Sequence, residues 1–132
     1  MRFFLKRKNS VVGQIGEELA SKYLSDLDFT ILDRNYRCLH GEIDIIAIKN
    51  KVLHFIEVKT RKTTHYGHPV EAYTLSKQKK IVKTAWTYLD GKFLSVKSQP
   101  AFQFDLITLL LNDVNEATEI RYYEHAITMD LW

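Results

Sequence analysis

"GEIDIIAIKNKVLHFIEVKTR", residues 41–61, decides the fold. Two β-rich runs, "EIDIIAI" and "VLHFIEVKT", flank a short polar turn at Asn50 and Lys51. Side chains along a strand alternate between two faces. In the second run His54, Ile56 and Val58 therefore point one way, and Leu53, Phe55, Glu57 and Lys59 the other. If Asn50-Lys51 is a two-residue loop, Lys49 pairs with Val52 and counting back sets Asp44 opposite Glu57. Directly opposed residues share a face, with Cβ atoms roughly 4.5–5.5 Å apart. Two carboxylates that close repel unless something positive lies between them. A divalent cation fits, because Mg²⁺ takes one or two carboxylates and keeps waters. Asn-Gly would be the stronger hairpin signal, and a longer loop would shift the register while leaving Glu57 and Lys59 on one face. The same pattern also suits the solvent side of an amphipathic hairpin. Leu53 and Phe55 share the face of Glu57, and Ile46 and Ile48 that of Asp44, so the charges end an otherwise apolar surface.

The flanking chain supplies the other elements. Asn9 or Ser10 can cap a first helix running to about Leu27, with Val12, Ile15, Leu19, Tyr23, Leu24 and Leu27 as its apolar stripe. "FTILDRNYR" is a short strand, and Gly41 breaks the chain before the hairpin. Residues 61–73 have the composition of a loop. A second helix spans roughly Ser76 to Leu89, with Ile81, Val82, Ala85, Tyr88 and Leu89 inward and Asp90-Gly91 ending it. "AFQFDLITLLL" has the apolar density of a central strand, and "TEIRYYEHAI" that of a last, edge strand. The order α-β-β-β-α-β-β predicts an α/β fold, a mixed sheet with helices packed on it.

A chain of 132 residues fits one domain able to bury a core. The single cysteine, Cys38, excludes an internal disulfide and a multi-cysteine zinc site, and suits a reducing cytoplasm. No signal peptide is expected from "MRFFLKRKNS", and "LITLLL" is too short to cross a membrane. Charge is lopsided: residues 1–100 carry 18 Lys/Arg against 10 Asp/Glu, and residues 101–132 carry 1 against 6. A basic body with an acidic end suits a polyanion partner, although solvated surface charge explains it equally well.

Helix geometry sorts the remaining polar residues. At about 100° per residue, Glu17 falls at the boundary of the first helix's apolar stripe and Glu18 on the solvent side. Gly13 and Gly16 weaken a helix, which close backbone packing would explain. In the second helix Gln78 lies near the middle of the stripe and needs a polar partner, with Lys77 at the edge. Both also serve as ordinary first-turn residues. Lys79, Lys80 and Lys83 face outward, and Arg61 and Lys62 follow Lys59. Together with Arg2, Lys6, Arg7 and Lys8 they are candidate phosphate contacts. His65 and His68 lack further ligands at metal-binding spacing. His54, opposite in face to Glu57, reads as packing or as an exposed edge residue. There is no phosphate-binding glycine loop and no nucleophile elbow.

"GEIDIIA" followed by "FIEVKTR" resembles the PD-(D/E)XK nuclease core, in which an acid on one strand precedes E-x-K on the next. The resemblance is closer still to the YraN-like family of small bacterial proteins within that superfamily. It is carried by "GQIGEELA", "DRNYR", "GEIDIIA…FIEVKTR" and "YGHPVEAYTLSKQKKI", in order from Gly13 to Ile81, with "FQFDLI" beyond. The resemblance implies a restriction-endonuclease-like fold akin to archaeal Holliday-junction resolvases. It implies Asp44, Glu57 and the Val58 carbonyl as ligands of Mg²⁺ or Mn²⁺, and Lys59 beside the attacking water. The family's helical glutamate falls on Glu17 and its helical lysine on Lys77. Ile43 replaces the superfamily's proline, and Gln103 stands where an arginine often precedes Phe-Asp, which weakens a role for Asp105.

The resulting expectation is a metal-dependent nuclease hydrolysing DNA phosphodiesters, with DNA preferred to RNA and branched or processed DNA as candidate substrates. The alternatives are a nucleic-acid-binding module of the same fold with little or no cleavage, and a protein-interaction role with a residual site. Resolvase-like enzymes often act as homodimers, but no sequence feature here identifies an interface.

Overall fold

The first helix begins where a side chain can take its orphan N–H groups: Ser10 Oγ accepts the Gly13 N–H at 3.1 Å. From there the computed structural model, which describes residues 10–62, 70, 73–93 and 96–132, follows the predicted order. Helix α1 (Val11–Asp26) leads to β1 (Thr30–Cys38), β2 (Gly41–Lys49) and β3 (Val52–Arg61). Helix α2 (Leu75–Lys92), β4 (Ala101–Leu111) and β5 (Ala117–Tyr123) complete it, with short 3₁₀ turns at Val96–Ser98 and Met129–Leu131. The N-terminal basic residues, His65 and His68 lie outside the described residues.

The five strands stand in the order β1-β2-β3-β4-β5. All neighbours are antiparallel except β3 and β4, which run parallel. A parallel pair needs a crossover, and α2 lies in it. The β2–β3 turn is the two-residue loop: Lys49 pairs with Val52, and Asn50 and Lys51 take φ of 52° and 68°. Positive φ at both central residues is the turn whose twist matches a hairpin. The sheet is thus a central layer with α1 on one face and α2 on the other.

Each face has its own core. Ile43, Ile46, Leu53, Phe55 and Phe104 pack beneath Ile81, Val82, Ala85, Tyr88 and Leu89 of α2. Ile45, Ala47, Ile56, Val58, Ile107 and Leu109 pack beneath Ala20 and Leu24 of α1. Fully burying one such side chain stabilises by about 1.5–3 kcal/mol. Phe55 stacks on Phe104 with centroids 5.4 Å apart and meets Tyr88 edge-on at 5.9 Å.

Three details depart from the sequence reading. The buried face of α1 is Gly16, Glu17, Ala20 and Leu24, and Leu27 is exposed. The stripe is therefore rotated, because Gly16 permits an approach that a larger residue would block. Helix α2 continues through Asp90 and Gly91 to Lys92, so the glycine does not end it. His54 is neither ordinary packing nor edge-exposed, since it is buried in a polar network described below.

Candidate metal and nucleic-acid site

The alternation of β2 slips at Asp44. Ile43 and Ile46, three residues apart, both join the α2-face core, and the pairing with β1 skips Asn35 and Asp44. Asn35 takes a positive φ of 55° at that point. Pairing of β2 with β3 runs from Lys49↔Val52 to Ile45↔Ile56 and stops. The expected direct opposition of Asp44 and Glu57 is thus not part of the ladder. In a hairpin with this loop, alternate β3 residues direct their N–H groups toward β2, and the next after Ile56 is Val58. With the strands parting, Asp44 Oδ2 accepts the Val58 N–H at 2.8 Å. A buried backbone donor has to be paired, and the fully buried Asp44 carboxylate does this.

Glu57 and Lys59 occupy the adjoining part of β3. Glu57 is buried, and its Oε2 takes an ion pair from Lys59 Nζ at 3.1 Å. Across the parallel ladder Glu57 stands beside Leu106, and Lys59 beside Thr108. Thr108 is fully buried, and its Oγ1 makes no hydrogen bond. Glu17 is buried on α1, one residue after the glycine where α1 meets β3. A Cβ added at Gly16 would lie 1.8 Å from Thr60 Oγ1. The close approach buries Glu17, which the helix periodicity had set at the boundary of the apolar stripe.

The donor set suits a hard cation. Carboxylate and carbonyl oxygens favour Mg²⁺ or Mn²⁺ over softer metals. Among the described residues no group of three His, Cys, Asp or Glu is gathered to hold a metal. An ion would rely on Asp44, Glu57 and the Val58 carbonyl with water or phosphate oxygens, the sparse coordination that Mg²⁺ accepts.

The other predicted polar residues are more scattered. Gln78 finds its partner in the backbone, donating Nε2 to the Tyr73 carbonyl at 2.9 Å. Lys77, Lys79, Lys80 and Lys83 are exposed along α2. Arg61 is partly exposed, and Lys62 reaches the Asp113 carbonyl at 3.5 Å. Glu18 lies on the solvent side as expected and pairs with Arg34 at 2.5 Å.

Two features escaped the sequence reading. The first is Tyr73, which packs against the α2-face core and whose Oη is buried with no hydrogen bond. Burial pushes its phenol well above the ordinary range, helped by the charges of Glu57, Asp105 and Asp44. Nothing in the local sequence announces it. The second is a network on the α1 face centred on Asp105. Its carboxylate pairs with His54 Nδ1 at 2.6 Å and accepts from Tyr122 Oη, from Gln103 Nε2 at 2.9 Å and from the His125 N–H at 3.1 Å. Burial pushes Asp105 up, but these bonds outweigh it and hold the carboxyl below its ordinary value. Gln103 also donates to Glu124 at 3.2 Å. Asp105 is thus a buried hub, and Gln103 in place of arginine still serves it. The signal was present, since Gln103 and Asp105 alternate on one face of an apolar strand.

The profile of "Uncharacterised protein family UPF0102" matches residues 16–109. The chain belongs to this family. A UPF0102 protein of Clostridium botulinum (strain Hall) is 42% identical over 118 residues, covering 89% of this chain and 94% of its own. One of Clostridium acetobutylicum is 39% identical over 122 residues, covering 92% and 98%. The UPF0102 match spans α1 from Gly16, the hairpin and β4 to Leu109. Asp44, Glu57, Lys59, Glu17 and Asp105 all fall inside it. Among the described residues no helix is long and apolar enough to cross a membrane.

Proposed function

We propose that this UPF0102 protein is a metal-dependent nuclease of the PD-(D/E)XK type that hydrolyses DNA phosphodiesters, branched or processed DNA being the substrate class. The observation that carries the reading is the parting of β2 from β3. It seats the Asp44 carboxylate on the Val58 N–H beside the Glu57–Lys59 pair. An amphipathic surface hairpin would not bury these carboxylates. Bound Mg²⁺ or Mn²⁺ supplies a polarised phosphodiester and a water of lowered pKa. Asp44 and Glu57 would hold it, Asp44 kept in place by its backbone bond. Lys59 would orient the attacking water or stabilise charge developing on the phosphate. Glu17, buried on α1, would act from outside the two-carboxylate pair, as a positioning residue. Arg61, Lys62, Lys79, Lys80 and Lys83 contact the DNA backbone, which positions a duplex without reading its sequence.

The test is Mg²⁺ and Mn²⁺ binding by titration calorimetry, wild type against Glu57→Ala, followed by cleavage of duplex, single-stranded, flap and four-way-junction DNA. Binding and cleavage present in wild type and lost in the variant are expected. A well-folded wild type that binds neither ion refutes the mechanism. DNA affinity that is salt-sensitive and survives Glu57→Ala without any cleavage would instead identify a nucleic-acid-binding module.

A further inference from the structure

Arg121 is the only lysine or arginine in residues 101–132, set among six acids. It lies on β5, where Ile120 and Tyr122 pack on the α1-face core, so Arg121 and Tyr123 point to the other face. Tyr123 lines a cleft there with Tyr73 and Gln78. Arg121 pairs with Thr108, and Thr108 with Lys59. Directly opposed residues share a face, so Lys59, Thr108 and Arg121 form one row across three strands. Neighbouring strands lie about 4.8 Å apart, which sets the Arg121 backbone about 10 Å from that of Lys59. On the other flank α2 packs over β2 and β1. Lys80 stands over Gly41 there, since a Cβ added to the glycine would lie 3.9 Å from Lys80 Cβ. Gly41 opens β2 and Lys59 is near the end of antiparallel β3, so both belong to one end of the sheet. Lys80, Lys59 and Arg121 thus cross that end in sequence, with the strands of Asp44 and Glu57 between the two flanks.

We propose that Arg121 is a DNA-binding residue whose guanidinium contacts a backbone phosphate where the strand leaves the Glu57–Lys59 site toward β5, opposite the α2 lysines. This role deepens the nuclease reading and rests on it for the path of the strand. A guanidinium suits the task, because its planar fork matches two phosphate oxygens. Charge on an edge strand also guards against pairing with another chain, and Arg121 is ion-paired to Glu119 at 3.1 Å. With the arginine side chain 54% exposed, such a pair contributes little, so exchanging Glu119 for a phosphate costs little. Glu119, one row along, repels a phosphate and confines the contact to the row of Arg121 and Lys59.

The test is Arg121→Gln, read by affinity for a fluorescein-labelled DNA duplex over a series of salt concentrations without added divalent metal, by cleavage kinetics and by thermal unfolding. Each phosphate contact adds about 0.9 to the steepness of log affinity against log salt on duplex DNA. Arg121→Gln is expected to lower that slope by about 0.9, to weaken binding about tenfold, and to raise KM with kcat nearly unchanged. Arg121→Lys keeps the charge and hence the slope, and loses affinity by a smaller factor. Glu119→Gln breaks the ion pair but leaves the guanidinium, so it binds DNA as well as wild type or better. Arg121→Met keeps the apolar stem and reads the same contact should the glutamine variant be unstable. An unchanged slope and affinity in a folded Arg121→Gln or Arg121→Met protein overturn the inference. The nuclease reading then still stands if Glu57→Ala abolishes metal binding and cleavage. A wild type that binds the DNA panel but cuts none of it refutes the nuclease reading, while the salt slope still decides the role of Arg121. A wild type without DNA affinity overturns that role outright.

Discussion

Gly16→Ala sets helix propensity against packing, and the two predict opposite signs. Propensity alone favours alanine by about 1 kcal/mol in a helix interior. In place, however, the new Cβ would lie 1.8 Å from Thr60 Oγ1, 2.8 Å from Thr60 Cβ and 3.0 Å from Cγ2. Non-bonded carbons sit at about 3.5–4.0 Å, so relief requires roughly 1 Å of separation. Rotating Thr60 about χ1 moves its hydroxyl and methyl but not its Cβ, so the backbone of α1 or β3 has to give. Overpacking of this kind costs about 1–3 kcal/mol, and the contact to an immobile Cβ puts it toward the upper end. After the propensity gain, the net destabilisation is about 1–2 kcal/mol. That lowers the melting temperature by about 3–10 °C in a chain of this size. Gly91→Ala is the internal control, because a Cβ there meets nothing within 4 Å, and propensity predicts a gain. Both variants are measured by urea and thermal unfolding followed by circular dichroism. Thr60→Ala in the Gly16→Ala background restores only part of the loss, since it leaves the Cβ contact. If Gly16→Ala stabilises as Gly91→Ala does, α1 does not dock on β3 this closely, and the placement of Glu17 loses its basis.

Two further perturbations test the buried polar groups. Asp105→Asn removes the charge on which His54, Tyr122, Gln103 and the His125 N–H converge, and breaking such a network costs about 3–5 kcal/mol. Because the folded Asp105 carboxyl lies below its ordinary value, its contribution is full above the unfolded value and fades as pH falls through the folded one. Acid titration of wild-type stability should therefore show a loss in that range that Asp105→Asn lacks, and identical acid profiles would refute the assignment. Thr108→Val removes a fully buried hydroxyl that makes no hydrogen bond and should raise stability by about 1 kcal/mol. A clear loss in denaturant unfolding would mean that Thr108 has a partner essential to the fold.

The sheet was legible wherever one face is apolar. Register in the hairpin follows from Leu53 and Phe55 beside Ile46 and Ile48, because a one-residue slip would carry them to the wrong side. The pairings Ile46↔Phe55 and Ile48↔Leu53 are those observed. Extending that register to Asp44 and Glu57 failed for a local reason. Alternation counts assume a continuous ladder, and the chain departs from it at Asn35 and Asp44. The burial of Glu17 was underestimated because periodicity ranks residues by hydrophobicity, whereas the docking of α1 is set by the smallest side chain on it. Asp105 was discounted through one neighbouring residue, although the hydrogen bonds it accepts come from three elements. Tyr73 had no signal, since its distinction lies in an atom lacking a partner, which only the assembled core defines.

The departure of β2 also determines which variants can report on chemistry. Once the strands part after Ile45 and Ile56, the Val58 N–H has lost the strand carbonyl it would otherwise meet, and Asp44 replaces it. Asp44 therefore holds the sheet seam together irrespective of any reaction. Asp44→Ala would leave a buried N–H unpaired at a cost of about 1–3 kcal/mol, so lost activity in that variant would mix misfolding with missing chemistry. Glu57 makes its ion pair with Lys59, two residues along the same strand. Removing it alters charge on one sheet face while the Asp44–Val58 seam persists. For that reason Glu57, not the fully buried Asp44, is the position at which metal binding and strand cleavage are to be separated from stability.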